Sequence, residues 1–249
     1  MSDQSQATIT VIVAAMNEEE VLEDVVRQTL DHLGTRFADY EVILVDDGSV
    51  DRTPEIMDRI AEAHPKLRVI HNPRSCGLGN VYRQGLAEAR FEYVMMLCGD
   101  GGLPPASLPA IFEKVGTTDI VVPYMLNLPA IKSGPRYVLS RTYTTLLNTV
   151  FGLGLQYYNG LPVHRRDLLR SIEIMSTGFA FQAEILIKLI RAGASYVEIG
   201  VRGSEGKPSR SALRLRNVIS VARTLWMLFR ALARVPGMRR PQHDASLTR

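Results

Sequence analysis

Short β-branched runs alternate with amphipathic helical patterns through the first half of the chain, and this rhythm constrains the fold more than any other feature. Thr8–Ala15 reads as a buried strand. Val21, Leu22, Val25, Val26 and Leu30 then recur at helical spacing, up to a stop near Gly34. Asn17 is placed to cap that helix, with Glu18, Glu19 and Glu20 in its first turn, where carboxylates favour the helix dipole. Glu41–Val45 is a second strand, Asp51–Ala63 a helix and Leu67–His71 a third strand. A loop over Asn72–Gly79 leads into a helix through Ala89, and Tyr93–Leu97 is a fourth strand. Pro104-Pro105 opens another helix before a short fifth strand at Asp119–Pro123. Strands alternating with helices across short connections predict an α/β fold with a doubly wound, mostly parallel sheet.

Such sheets bind ligands outside the carboxyl ends of their strands. Two acidic turns stand there. Asp46-Asp47-Gly48-Ser49 follows the second strand, and Cys98-Gly99-Asp100-Gly101-Gly102 follows the fourth. Asp and Gly are ordinary turn formers, so one such turn says little. Two at the ends of successive strands would share one rim. Carboxylates beside a nucleotide diphosphate make sense with a cation between them, or with hydrogen bonds to ribose and base. Mg²⁺ or Mn²⁺ takes one or two carboxylates plus phosphate oxygens, and Asp100 between glycines suits that use.

The second half is less regular. Asn127–Pro135 reads as a loop, Arg136–Phe151 and Gln182–Arg191 as helices, and Ser195–Val201 as a strand. Arg202–Ser211 is a basic loop, and a long helix spans about Leu213–Val235, with a disordered tail after Pro236. The expected organisation is one domain over 1–235. Its nucleotide-binding half spans about 8–123 and its acceptor and sugar half 124–211; a basic amphipathic helix over 212–235 and a tail over 236–249 complete it. Lys132, Arg136 and Arg141 are candidates to gather an acceptor phosphate, or form a solvated basic face.

The motifs occur in a particular order. Ala15-Met16-Asn17-Glu18-Glu19 comes first, then Val45-Asp46-Asp47-Gly48-Ser49 with Asp51 and Thr53. Gly77-Leu78-Gly79 with Tyr82, Arg83 and Gly85 follows, then Gly99-Asp100-Gly101, Gly178-Phe179-x-Phe181-Gln182-x-Glu184, and Arg202-x-x-Glu205-Gly206-x-x-Ser209. This order resembles the family 2 glycosyltransferases of GT-A fold, a Rossmann-like nucleotide-sugar-binding architecture. The later motifs are similar to the dolichol-phosphate mannosyltransferase branch and its bacterial polyprenyl-phosphate relatives. The likeness covers roughly residues 8 to 225.

The resemblance implies a nucleotide-sugar site at Ala15, Asn17, Glu18, Asp46, Asp47, Gly79, Gly99, Asp100, Gln182 and Arg202. It implies Mg²⁺ or Mn²⁺ on Asp100 and Gln182, catalytic roles for Asp100, Glu184 and Arg202, and Lys207 and Ser209 on a closing loop over the diphosphate or acceptor phosphate. A hydroxyl acceptor would need a general base, for which the sequence offers several carboxylates without singling one out, Glu184 among them. Three departures stand out. Cys98 replaces the first Asp of the family's Asp-x-Asp, and Ala14 replaces a Pro. Tyr157-Tyr158-Asn159-Gly160-Leu161-Pro162 stands where the family has Asp-x-Thr-Ser-Gly-Phe-Arg. The expected activity is metal-dependent, inverting transfer of a hexose from a GDP-mannose or UDP-glucose type donor to a polyprenyl phosphate. The alternatives are a soluble transferase acting on a hydroxyl and a non-catalytic nucleotide-sugar-binding protein.

Charge adds a partner. The net +3 is uneven: Arg202–Arg240 carries ten basic residues against Glu205, a local +9 that leaves −6 on the rest. Leu215, Val218, Ile219, Ala222, Leu225, Trp226, Phe229 and Leu232 form a helical stripe, with Arg216, Arg223 and Arg230 beside it. That pattern suits a membrane surface or a partner subunit. Nucleic acid is not expected, because no recognised binding module accompanies the charge. Cys76 and Cys98 lack metal-ligand spacing and fit a reducing compartment. No apolar run reaches the roughly 18–20 residues of a spanning helix, so the expected location is cytoplasmic, peripheral on the inner membrane surface.

Overall fold

The computed structural model of the chain describes residues 6–132, 134–178 and 180–204. The strand–helix rhythm is realised as β1 (Ile9–Ala15), α1 (Leu22–Arg36), β2 (Tyr40–Asp46), α2 (Thr53–Ala63), β3 (Leu67–His71), α3 (Leu78–Glu88) and β4 (Tyr93–Cys98). A short 3-10 turn precedes α4 (Leu108–Glu113) and β5 (Ile120–Met125). Then come α5 (Leu128–Ile131), α6 (Gly134–Phe151), β6 (Val163–Arg165), α7 (Arg166–Arg170), α8 (Phe181–Arg191) and β7 (Tyr196–Val201). The seven strands form one sheet in the order β3-β2-β1-β4-β6-β5-β7. All neighbours run parallel except around β6, which is antiparallel to β4 and β5.

Central β1 is buried at every position, as a strand covered on both faces must be. Helix α1 buries Leu22, Val25, Val26, Thr29 and Leu33, a 3.6-period stripe. The apolar residues of both halves join one core, from Ile9 and Val42 through Val121 and Ile185 to Val201.

Two local expectations change. Asn17 does not cap α1, which starts at Leu22. Asn17 instead takes a left-handed backbone (φ 60°), a conformation Asn tolerates better than most side chains. The segment β6–α7 was not foreseen, and α5 lies within the expected 127–135 loop. β6 has only three residues, too few to show alternation, and takes its strand identity from the partners Met95 and Val121 that flank Val163. The long C-terminal helix, the tail, Lys207 and Ser209 lie outside the described residues.

Candidate active site

Parallel register brings the acidic turns together. Ala15 lies beside Asp46, and Ala14 beside Cys98, so β1, β2 and β4 end at one level. The chain leaves each strand still pinned to β1: the Asp47 amide donates to the Ala15 carbonyl (2.9 Å), and the Gly99 amide to the Ala14 carbonyl (2.8 Å). Gly99 is required there, since a Cβ would lie 2.8 Å from that of Ala15. The shared rim expected from sequence is therefore present.

On the β2 side the carboxylates are engaged by the protein itself. Asp46 is buried; its Oδ1 accepts the Ser49 amide (2.9 Å) and its Oδ2 faces His71 Nδ1 at 3.4 Å. Asp47 Oδ1 accepts the Cys76 amide (2.7 Å), while Oδ2 accepts the Ser75 hydroxyl (2.8 Å) and the Gly77 amide (3.3 Å). Asp47 thus closes the 75–77 loop over the Gly48 turn. Gly48 has φ 76° and passes so close that a Cβ would meet Arg74 and Ser75 backbone at 2.6 Å. Asn17 ties the neighbouring segment down: its amide donates to Ser49 Oγ (3.0 Å) and its Oδ1 accepts the Val50 amide (2.9 Å). The Glu18 amide donates to Thr53 Oγ1 (2.8 Å). Ser75 and His71 are parts of this scaffold that no sequence motif had singled out.

Asp100 stands differently. It is exposed, and its Oδ1 accepts the Gly102 amide (2.9 Å). The Glu18 carboxyl is held above its ordinary range by partial burial and by the negative charges of Asp100 and Asp51. Three carboxylates therefore repel one another at this corner. Cys98 adds no fourth charge: burial first, then Asp100 and Glu18, push its thiol up to about 12. A neutral thiol is a poor ligand for a hard cation, so Cys98 does not substitute for the family's Asp. Arg202 is exposed at the end of β7, and its carbonyl accepts the Ser107 hydroxyl (2.8 Å). The next turn bonds to the Asp100 turn through the Ser204 amide and Gly102 carbonyl (3.2 Å), so Arg202 and Asp100 belong to adjoining segments.

Two of the expected residues have structural partners. The Gly79 amide donates to the Thr177 carbonyl (2.9 Å), and a Cβ there would overlap the Ser176 carbonyl oxygen. Its small size lets the 174–178 segment lie on α3. Glu184, expected as a candidate base or an outward polar residue, is fully buried. Its Oε1 accepts the Met175 amide (2.9 Å) and Lys188 Nζ (2.6 Å), and its Oε2 the Ser176 amide (2.8 Å). Burial opposes its charge, but the bonds from Lys188, Ser176 and Met175 outweigh that, so the carboxyl ionises below its ordinary range. Glu184 holds the 175–176 backbone. Next to it, Gln182 is buried, and its carbonyl oxygen Oε1 has no partner among the described residues. A buried amide oxygen without a donor costs roughly 1–3 kcal/mol, and a bound water or ligand would satisfy it.

The cation expectation can be tested on these atoms. Among the described residues no three His, Cys, Asp or Glu side chains form a ready cage. Mg²⁺ does not need one, because it keeps waters and takes substrate phosphates beside one or two protein oxygens. An exposed Asp100 amid mutually repelling carboxylates, and an orphaned Gln182 oxygen, fit that chemistry.

The acceptor candidates follow β5, whose loop bonds through Asn127 to Gly203. Lys132, just before α6, donates to Ser140 Oγ (2.9 Å) and the Tyr157 hydroxyl (3.1 Å). Burial, then the nearby positive charge of Arg136, bring its amine down to about 8. Arg136 is half-buried beside it, and Arg141 is exposed further along α6. The altered segment packs beneath: Tyr157 and Tyr158 are buried, and Tyr158 donates to Asn148 Oδ1 (2.8 Å). Leu161 there has φ 58°, an unfavoured conformation for a bulky residue, next to a glycine whose Cβ would overlap the Pro123 carbonyl oxygen.

Comparison with known proteins agrees with this geometry. The family model described as glycosyl transferase family 2 matches residues 10–172. An undecaprenyl-phosphate mannosyltransferase of Micrococcus luteus is 28% identical, over 78% of this chain and 82% of that protein. A polyprenol monophosphomannose synthase of Mycolicibacterium smegmatis is 26% identical over 71% of each. Among solved structures, glucosyl-3-phosphoglycerate synthase from Mycobacterium tuberculosis, in complex with Mn²⁺ and UDP-glucose, superposes with a TM-score of 0.64. It is 20% identical, and the match covers 93% of this chain and 81% of that one. The fold is GT-A.

The chain belongs to glycosyl transferase family 2 and is a glycosyltransferase.

Proposed function

We propose that this family 2 glycosyltransferase moves a hexose, with inversion, from a nucleotide sugar of the GDP-mannose or UDP-glucose type to a polyprenyl phosphate. Asp100 and Gln182 would hold Mg²⁺ or Mn²⁺. When bound, the cation neutralises charge on the diphosphate leaving group. Arg202, on the segment adjoining the Asp100 turn, adds a positive charge at the same edge. Asp46, Asp47, Asn17 and Glu18 shape the wall against which base and ribose lie. The named substrates of the two curated relatives, an undecaprenyl phosphate and a polyprenol monophosphate, support the acceptor class.

One observation carries this choice over a hydroxyl acceptor. The chain that follows β5 presents a half-buried Lys132 with Arg136, Ser140 and Tyr157, and from Ile120 to Arg166 it has no Asp or Glu. A hydroxyl needs a base within hydrogen-bond reach of its proton. Among the candidate carboxylates, Glu184 is engaged by the Met175 and Ser176 amides and by Lys188. A phosphate monoester needs no base, because its second ionisation lies at about 6 and its attacking oxygen is already anionic near neutrality. Lys132 and Arg136 would hold and orient it.

The test uses radiolabelled GDP-mannose and UDP-glucose with Mn²⁺ or Mg²⁺, and either a short-chain polyprenyl phosphate or the matching polyprenol. Label is expected in the phosphate product only. Label in the alcohol product would replace this account with the hydroxyl-acceptor one. No turnover of any donor would favour a binding protein.

A further inference from the structure

Helix α6 carries an apolar face that is exposed among the described residues. Val138 is 61% exposed, Leu139 49%, Leu146 46% and Val150 45%, while Thr144, Leu147 and Phe151 on the opposite side enter the core. At about 100° per residue, the exposed apolar residues fall in a band roughly 120° wide that also contains Thr142 and Thr149. Arg141 flanks one border of the band and Arg136 the other. Leu126, 59% exposed, lies just before α5, the short helix that leads into α6. Monomeric proteins seldom leave such a cluster open unless it binds something.

The surrounding charge selects the occupant. Helix α6 carries Arg136 and Arg141 and no carboxylate, and Lys132 lies just before it. A surface that pairs an apolar band with cations and excludes anions complements a bilayer with acidic headgroups. A protein partner would be met as readily by mixed charge. We propose that the exposed face of α6 lies in the interface of an anionic membrane, with Val138, Leu139, Leu146 and Val150 among the acyl chains and Arg136 and Arg141 at the phosphates. This rests on the lipid-phosphate acceptor proposed above in one respect: docking through α6 brings Lys132, next to the helix's first turn, to the headgroup level where such an acceptor presents its phosphate.

The test is co-sedimentation of the full chain with vesicles of phosphatidylcholine alone or with a third phosphatidylglycerol, alongside sugar transfer to a water-soluble short-chain polyprenyl phosphate without vesicles. The variant is Leu139→Gln with Leu146→Gln, which removes apolar surface and leaves charge unchanged. Wild type is expected to bind the anionic vesicles. The double variant should bind them at least about tenfold more weakly while transferring to the soluble acceptor at the wild-type rate. Vesicle binding unchanged in the double variant would overturn the proposal, whether residues 205–249 or another surface then carried the contact. So would a wild-type dimer that the double variant breaks, which would give the face to a second copy of the chain. Failure of the wild type to use the soluble acceptor would count against the lipid-phosphate function alone, because vesicle binding is read separately.

Discussion

The two sides of the site solve opposite electrostatic problems. On the β2–β4 side, Glu18, Asp46, Asp47, Asp51 and Asp100 crowd one rim, and most are stabilised by hydrogen bonds from turns and loop amides. On the α6 side there are cations and no carboxylates from Ile120 to Arg166. In the proposed reaction a negatively charged donor would meet an acidic wall, which is tolerable only with a cation between them. A negatively charged acceptor would meet a basic wall directly. One cleft could then take two anions, each neutralised by a different device.

The sharpest way to break this comparison is Asp100→Ala. The carboxylate bonds one nearby amide, so the fold should survive. Sugar transfer with Mn²⁺ should fall about a hundredfold to a thousandfold, the loss seen when one charge-stabilising group leaves an active site. An undiminished rate would remove Asp100 from the site. Next in size is Glu184→Ala. It strands Lys188 in a mostly buried position, and breaking such a pair costs about 3–5 kcal/mol, measured by denaturant unfolding. Glu184→Gln with Lys188→Met should recover most of that stability. At saturating substrates its pH–rate profile should match wild type; a lost acidic limb would restore Glu184 as a base.

Gly79→Ala should cost about 1–3 kcal/mol, because the new Cβ must push the Ser176 carbonyl away. It should also raise the KM for donor, since Gln182 follows that displaced segment. The smallest effect separates the basic side. Lys132 titrates at about 8 in the folded chain, below its ordinary 10.5. Its charged form is therefore disfavoured by folding: stability rises as pH climbs from about 8 towards 10.5, and the penalty is complete below 8. Acceptor binding needs the charged form, so acceptor KM should grow up to about tenfold per pH unit above 8. Lys132→Arg should flatten that rise, while the donor KM stays level in both proteins.

The acidic side was legible in the sequence, and the basic side much less so. Strands that alternate with helices announce a parallel sheet, and the rule for parallel sheets puts Asp46 and Asp100 on one rim before any coordinate is known. What the alternation could not supply was how each carboxylate is spent. Asp47 and Glu184 have the composition of ligands, but their partners are backbone amides of loops far along the chain, at 75–77 and 175–176. Asn17 had the composition of a helix cap and became a turn residue, because Ser49 and Val50 compete for it. β6 escaped notice since three residues carry no periodicity. Lys132 was recognisable as a cation near a helix start, but its burial against Tyr157 depends on the altered 157–162 segment, where the likeness to the family breaks down.

The most direct test of a site with one cation-dependent side is calorimetric titration of GDP-mannose and UDP-glucose into the protein, with Mn²⁺ present or chelated. At least one donor should bind only with the cation, and Asp100→Ala should abolish that dependence. Equal donor affinity with and without Mn²⁺ would contradict the account, because the acidic rim would then be accepting a diphosphate unaided.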